Sequence, residues 1–176
     1  MTSGSELSSL FGAIARDARE RKRKADDIAT KAAAAAPAAL HVSMVGQQPV
    51  RFFRPPLNDG RPDMPWCSLS DILRATGYDK DARARLAVTI SRDYRERIRS
   101  IADPVKARLV IGCYVLGMDV LSAAVRRGFA HGSLIADLRD GCMEAAKKML
   151  ADRDPAEAAL YLIDAAKRWK PEEKAA

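Results

Sequence analysis

Between residues 40 and 56 the chain alternates, turns and stops. Leu40-His41-Val42-Ser43-Met44-Val45 places apolar and polar residues at a period of two, the period of a half-buried strand. Gly46-Gln47 follows as a turn, and Val50-Arg51-Phe52-Phe53-Arg54 makes the returning strand. Pro55 and Pro56 end it, because neither can donate to a ladder. This β-hairpin lies among segments of helical period. The expected class is therefore α+β: a small antiparallel sheet packed with several helices and preceded by a basic N-terminal helix.

The segment after the hairpin is a loop over 57–65, with Asn58-Asp59-Gly60 as its turn signal. Trp66 and Cys67 finish a short strand. Ser68 is placed to cap a helix, with Asp71 three residues on. Leu69, Ile72 and Leu73 form its apolar face, and Gly77 ends it as a C′ residue. A second helix is expected from about Asp81 to Val88, with Ala82, Leu86 and Ala87 available to pack. Helix, glycine-bearing turn, helix is the outline of a helix-turn-helix. Arg83 departs from it, standing where such a motif buries an apolar residue.

Pro65-Trp66-x-x-x-x-Asp71-Ile72-x-x-x-x-Gly77-Tyr78 resembles the signature of the BRO-N domain. That domain occurs in antirepressors and related DNA-binding proteins of phages and large DNA viruses. The family places a short hairpin before a Trp-containing strand, then a small helix carrying an Asp and ending in Gly-Tyr. The layout is similar from about Leu40 to Leu150, and the motif itself covers about fourteen residues. Cys67-Ser68 stands where the family has a bulkier apolar pair. The proline-rich loop 55–65 is long, and residues 1–36 lie outside the domain. The resemblance implies a DNA-binding regulatory protein of phage or mobile-element type.

Charge agrees with that reading. The net charge of the 176 residues is +7, and it is unevenly spread. Residues 51–100 hold eleven bases against seven acids, a net of +4, whereas residues 101–176 hold twelve against eleven. Ten of the eleven central bases are Arg, whose planar fork suits phosphate and guanine. The N-terminal segment reads as one helix over 3–36, with Ser3 and Glu6 as a capping box. Within it, Arg16–Lys24 carries six bases and two acids. The candidate nucleic-acid-binding residues are Arg19, Arg21, Lys22, Arg23 and Lys24 on this arm, and Arg51, Arg54, Arg74, Lys80, Arg83, Arg85 and Arg92 in the centre. Arg95, Arg97 and Arg99 would share one face if 95–101 is a strand. The competing reading is a solvated, salt-bridged surface that uses Asp79, Asp81, Asp93 and Glu96.

Other classes lack their residues. The run 32–50 has no charge but holds Pro37, His41, Gly46, Gln47, Gln48 and Pro49, and Leu109–Met118 is too short for a span, so no membrane association is expected. No secretory signal is read, and cytoplasmic localisation is the default expectation. Cys67, Cys113 and Cys142 are sparse and odd in number, which suits reduced thiols. A composite metal site from Cys113, His131 and Cys142 is the weaker alternative to three buried thiols. Gly112 to Gly117 has P-loop spacing, but Met118-Asp119 replaces the Lys-Ser/Thr pair. No catalytic constellation is readable, and no enzyme activity, metal or cofactor is expected.

Lys106–Ile111 reads as a strand pairing with 95–101. Three helices follow, over Asp119–Arg127, Leu134–Ala151 and Pro155–Trp169. Ile135, Leu138, Cys142, Ala145 and Met149 recur at spacings 3, 4, 3, 4. This stripe covers the sheet or forms a seam between subunits of a homodimer. The organisation expected is a basic helical arm over 1–37, an α+β body over 38–152, and a C-terminal helix and tail over 153–176. The function expected is binding of duplex DNA. The alternative is a protein-binding inhibitor or antirepressor that sequesters a nucleic-acid-binding protein.

Overall fold

The computed structural model describes residues 20, 37–57, 59–103 and 108–169. The arm's cations Arg19, Arg21, Lys22, Arg23 and Lys24 therefore lie outside the described residues, as does nearly all of the helix expected over 3–36. The chain divides into two compact units. One comprises residues 1–36 with 102–108, the other residues 37–101 with 109–176. The sheet and the helices that cover it belong to the second, and so does the C-terminal helix that the sequence set apart at 153.

Five strands form that sheet: β1 (His41–Val45), β2 (Gln48–Phe53), β3 (Trp66–Ser68), β4 (Ile98–Ile101) and β5 (Leu109–Gly112). All neighbouring pairs are antiparallel, in the order β1-β2-β3-β5-β4. The helices of this unit are α1 (Leu69–Ala75), α2 (Lys80–Asp93), α3 (Tyr114–Arg126), α4 (Ser133–Met149) and α5 (Pro155–Lys167), among the described residues. The α+β class is as the sequence indicates.

The first hairpin closes where its composition says it should. Val45 pairs with Gln48 across Gly46-Gln47, and Gly46 takes a φ of +60°. Such a turn favours glycine because a Cβ is strained there. The Gly46 N–H also donates to the Asp137 carboxylate at 2.9 Å, which ties the turn to α4. Residues 95–101 differ from expectation. Arg95–Arg97 form a 3-10 turn, and only Ile98–Ile101 run as a strand, paired with β5. The three arginines therefore do not line one strand face. The helix expected over 81–88 runs longer, over 80–93, and the one expected from Asp119 starts at Tyr114.

Phe52, Cys67 and Gly112 are register partners across three strands, at the centre of the core. α4 lies along β1 and β2. Leu138, Cys142 and Ala145 of its 3-4-3-4 stripe are fully buried within the single chain. The stripe thus covers this chain's own sheet and is not left open for a second subunit.

Two buried carboxylates lock the periphery to this core. Ser68 caps α1 by accepting the Asp71 N–H at 3.2 Å. The Asp71 side chain then turns inward and is 1% exposed. Arg51 of β2 donates to it through Nε at 2.8 Å and Nη2 at 3.3 Å, and Arg74 donates through Nη2. Burial alone would push this carboxyl up. The Arg51 and Ser68 hydrogen bonds and the two guanidinium charges outweigh burial and hold it below the ordinary range. The second carboxylate, Asp63, accepts from Trp66 Nε1 and Trp169 Nε1, both at 2.9 Å. Here burial prevails over the indole donors and the Arg168 charge, and the carboxyl is raised. Tyr161 brackets the same residue, its hydroxyl accepting from the Asp63 N–H at 3.1 Å and donating to the Asp63 carbonyl at 3.2 Å. Arg168 reaches Asp59 at 2.5 and 3.1 Å. The proline-rich loop is thereby pinned by residues from the end of the chain.

Asp71→Ala leaves Arg51 and Arg74 without the carboxylate they share. Removing one partner of a buried pair costs about 3–5 kcal/mol. Arg51 and Arg74 keep 27% and 40% side-chain exposure. Because water can recover part of that loss, about 2–3 kcal/mol is expected from the shift of the urea midpoint. The two acids have opposite linkage signs. The stability that Asp71 adds is full above the ordinary Asp pKa and fades as pH falls through its depressed one. The contribution of Asp63 is full below the ordinary value and fades as pH rises through its raised one. Both tryptophans of the chain touch Asp63, so intrinsic fluorescence follows its ionisation. A transition above the ordinary Asp range is expected in the native protein and absent from Asp63→Asn.

Candidate nucleic-acid interface

The seven described candidates separate into three groups. Arg51 and Arg74 hold the buried Asp71 and are engaged in joining β2 to α1. Arg54 follows β2 and donates to the Met149 carbonyl at 3.4 Å, at the end of α4. Lys80, Arg83, Arg85 and Arg92 all belong to α2. The structure thus does not join the central arginines through Arg51, since a carboxylate holds that guanidinium inside.

α2 exists for local reasons. Asp79 caps it, accepting the Ala82 N–H at 2.7 Å, and Asp81 lies in its first turn. It buries little. Ile90 is its only fully buried residue, with Leu86 and Ala87 partly covered. A cleft of about 190 Å³, lined by Leu86 and Ile90 of α2 and by Val120 and Ala123 of α3, lies between the two helices. The helix is held at one stripe and is wet around the rest.

Helical geometry sorts its cations. Arg85 and Arg92 are seven residues apart and share a face, about 10 Å apart along the axis, with Val88 between them. Val88 is 69% exposed. Lys80 and Arg83 form a second row, and Arg83 is half-buried beside the packed stripe. Arg92 contacts Asp93 at 2.6 Å, an exposed pair. Lys80, Arg83 and Arg85 make no ion pair among the described residues. Arg95 extends the first row, lining a shallow depression with Val88, Ser91 and Arg92.

The neighbouring arginines serve packing. Arg97 lies over the Tyr94 ring at 6.0 Å and the Trp169 ring at 5.8 Å. Arg99 turns back and donates to the carbonyls of Arg95, Glu96 and Ile98, which closes the 3-10 turn. Sequence alternation alone could not separate these from Arg95, because the distinction depends on which carbonyls and rings lie nearby.

The turn before α2 has a reason that the helix-ending rule does not supply. Gly77 is not in the left-handed region. Its N–H donates to the Phe129 carbonyl at 3.0 Å, and a Cβ there would stand 2.1 Å from that oxygen. The glycine permits two backbones to meet, and the Tyr78 and Phe129 rings pack 4.7 Å apart beside it. The P-loop-like spacing also has a packing origin. A Cβ at Gly117 would stand 2.8 Å from Cys67 Sγ, so the position is small because α3 crosses β3 closely.

The thiols are core residues. Cys67, Cys113 and Cys142 are free and buried. Burial pushes Cys142 up to about 12 and Cys113 to about 11. His131 is exposed and pairs with the Ser133 hydroxyl at 2.9 Å, so the Cys113–His131–Cys142 grouping does not assemble. Among the described residues no helix is long and apolar enough to cross a membrane.

Gly77→Ala forces the Phe129 strip away from the turn. A loss of about 2–3 kcal/mol is expected, read as a Tm lower by about 5–10 °C. The comparisons found no protein family, no curated protein and no solved structure that matches this chain.

Proposed function

We propose that the protein binds duplex nucleic acid and acts as a DNA-binding regulator, with α2 as its contact helix. The observation that carries this reading is the state of α2. It is a well-capped helix of fourteen residues, attached by one narrow stripe, whose Lys80, Arg83 and Arg85 have no acid partner among the described residues. A helix about 20 Å long and free on most of its circumference can enter a major groove about 12 Å wide. The resemblance of Pro65–Tyr78 to the BRO-N signature supports the same reading, since those residues build the α1 platform that carries α2.

In this mechanism Lys80 and Arg83 neutralise phosphates, while Arg85 and Arg92 face the groove. Arg92 exchanges its Asp93 contact for the nucleic acid. Arg19, Arg21, Lys22, Arg23 and Lys24 add charge from the N-terminal segment. Arg51 and Arg74 act indirectly by holding α1 on β2. The sequestering of another protein is the second reading. It is favoured by the exposed apolar pair Val42 and Met44 on β1, 51% and 54% accessible.

A fluorescence-anisotropy titration of a labelled duplex against salt tests the proposal. Log affinity is expected to fall linearly with log salt. Arg83→Ala with Arg85→Ala is expected to lower the slope by about 2 and weaken binding several-fold. Binding undetectable at low salt, or indifferent to these substitutions, overturns it.

A further inference from the structure

On the loop side of the molecule, a groove of about 320 Å³ opens between the proline-rich loop and the α4–α5 turn. Arg54, Arg61 and Arg153 line it, and among the described residues no acid does. Leu57, Leu150 and the Tyr161 ring supply apolar surface to the same groove. Three like charges in one concavity repel one another, and no carboxylate among the described lining residues neutralises them.

Asp152, beside Arg153, is not among the lining residues, and three other nearby acids are already occupied. Asp59 is taken by Arg168 at 2.5 and 3.1 Å. Asp63 is buried under two indoles. Asp154 caps α5, accepting the N–H groups of Ala156 at 2.9 Å and Glu157 at 3.4 Å. The groove's own cations keep most of their donors. Arg54 spends one, on the Met149 carbonyl. Arg153 lies over the Tyr161 ring at 5.0 Å, a contact that does not use its N–H groups. Among the described residues Arg61 hydrogen-bonds only through its backbone, from its N–H to Asp59 and at its carbonyl from Arg168. The pinned loop presents this trio ready-made.

We propose that this groove binds a phosphorylated small molecule of mononucleotide size. Guanidinium forks match phosphate oxygens two at a time, which a carboxylate-free rim leaves them able to do. The volume lies at the small end of ligand sites. The leucine and tyrosine surface suits a flat, weakly polar body attached to the phosphate. The site does not rest on the duplex reading, because none of its residues belongs to α2.

Calorimetric titration of the full chain with adenosine 5′-monophosphate tests it, with adenosine and inorganic phosphate as comparisons. One saturable site is expected, at least about tenfold tighter for the nucleotide than for either part. Arg54→Gln with Arg61→Gln is expected to weaken it at least about tenfold, and Arg153→Gln alone to do the same, while Arg83→Ala with Arg85→Ala leaves it unchanged. Thermal midpoints confirm that each variant is folded, and Arg153→Gln decides the matter if the double variant is not. Absence of saturation at millimolar nucleotide overturns the proposal. So does nucleotide binding no tighter than phosphate, which marks an adventitious ion only. Duplex binding weakened by the groove variants without nucleotide binding also overturns it, and assigns the arginines to the nucleic-acid surface.

Discussion

The Asp71 carboxylate is the point on which the rest of the body depends. It joins β2, through Arg51, to α1, through Arg74, while the backbone N–H of the same residue, donated to Ser68 Oγ, fixes the β3–α1 corner. A charge this deeply buried is costly unless its lone pairs are filled, and the two guanidiniums and the Arg51 N–H fill them. The placement of α1 on the sheet follows, and α2 packs on α1. An internal ion pair therefore sets the platform on which α2 packs.

This explains why the fold was more legible than the site. The hairpin, the Ser68 cap, the Asp154 cap and the apolar stripe of α4 are local, and each was readable from a few adjacent residues. Ser68 and Asp71 have the spacing of a capping box. The inward turn of the Asp71 side chain toward Arg51 is not legible from that spacing, because that partner is twenty residues away. Arginine count gave the same weight to Arg51, Arg85 and Arg97. Packing gives them three different tasks: a buried pair, an open helix face and a stack between rings.

The proline-rich loop shows the same limit from the other side. Its turn residues were clear, but its anchors were not, since Tyr161, Arg168 and Trp169 lie about a hundred positions downstream. The helix expected to reach Trp169 ends at Lys167. The two residues beyond it reach the loop acids Asp59 and Asp63. A tryptophan at the end of an apolar stripe looks like one more core position, yet here its ring nitrogen matters as much as its area.

The strand order carries a consequence for how the molecule assembles. β1 with β2 and β4 with β5 are near neighbours along the chain, separated by two and by seven residues. The join between these ladders is β3 with β5, where Cys67 meets Gly112 across a loop of more than forty residues containing α1 and α2. Closing that loop costs more chain entropy than either neighbouring pairing. The union of the two halves across β3 and β5 therefore carries the largest loop-closure cost in the sheet. α1 and α2, inserted between the joined strands, reach their final seat only with that union.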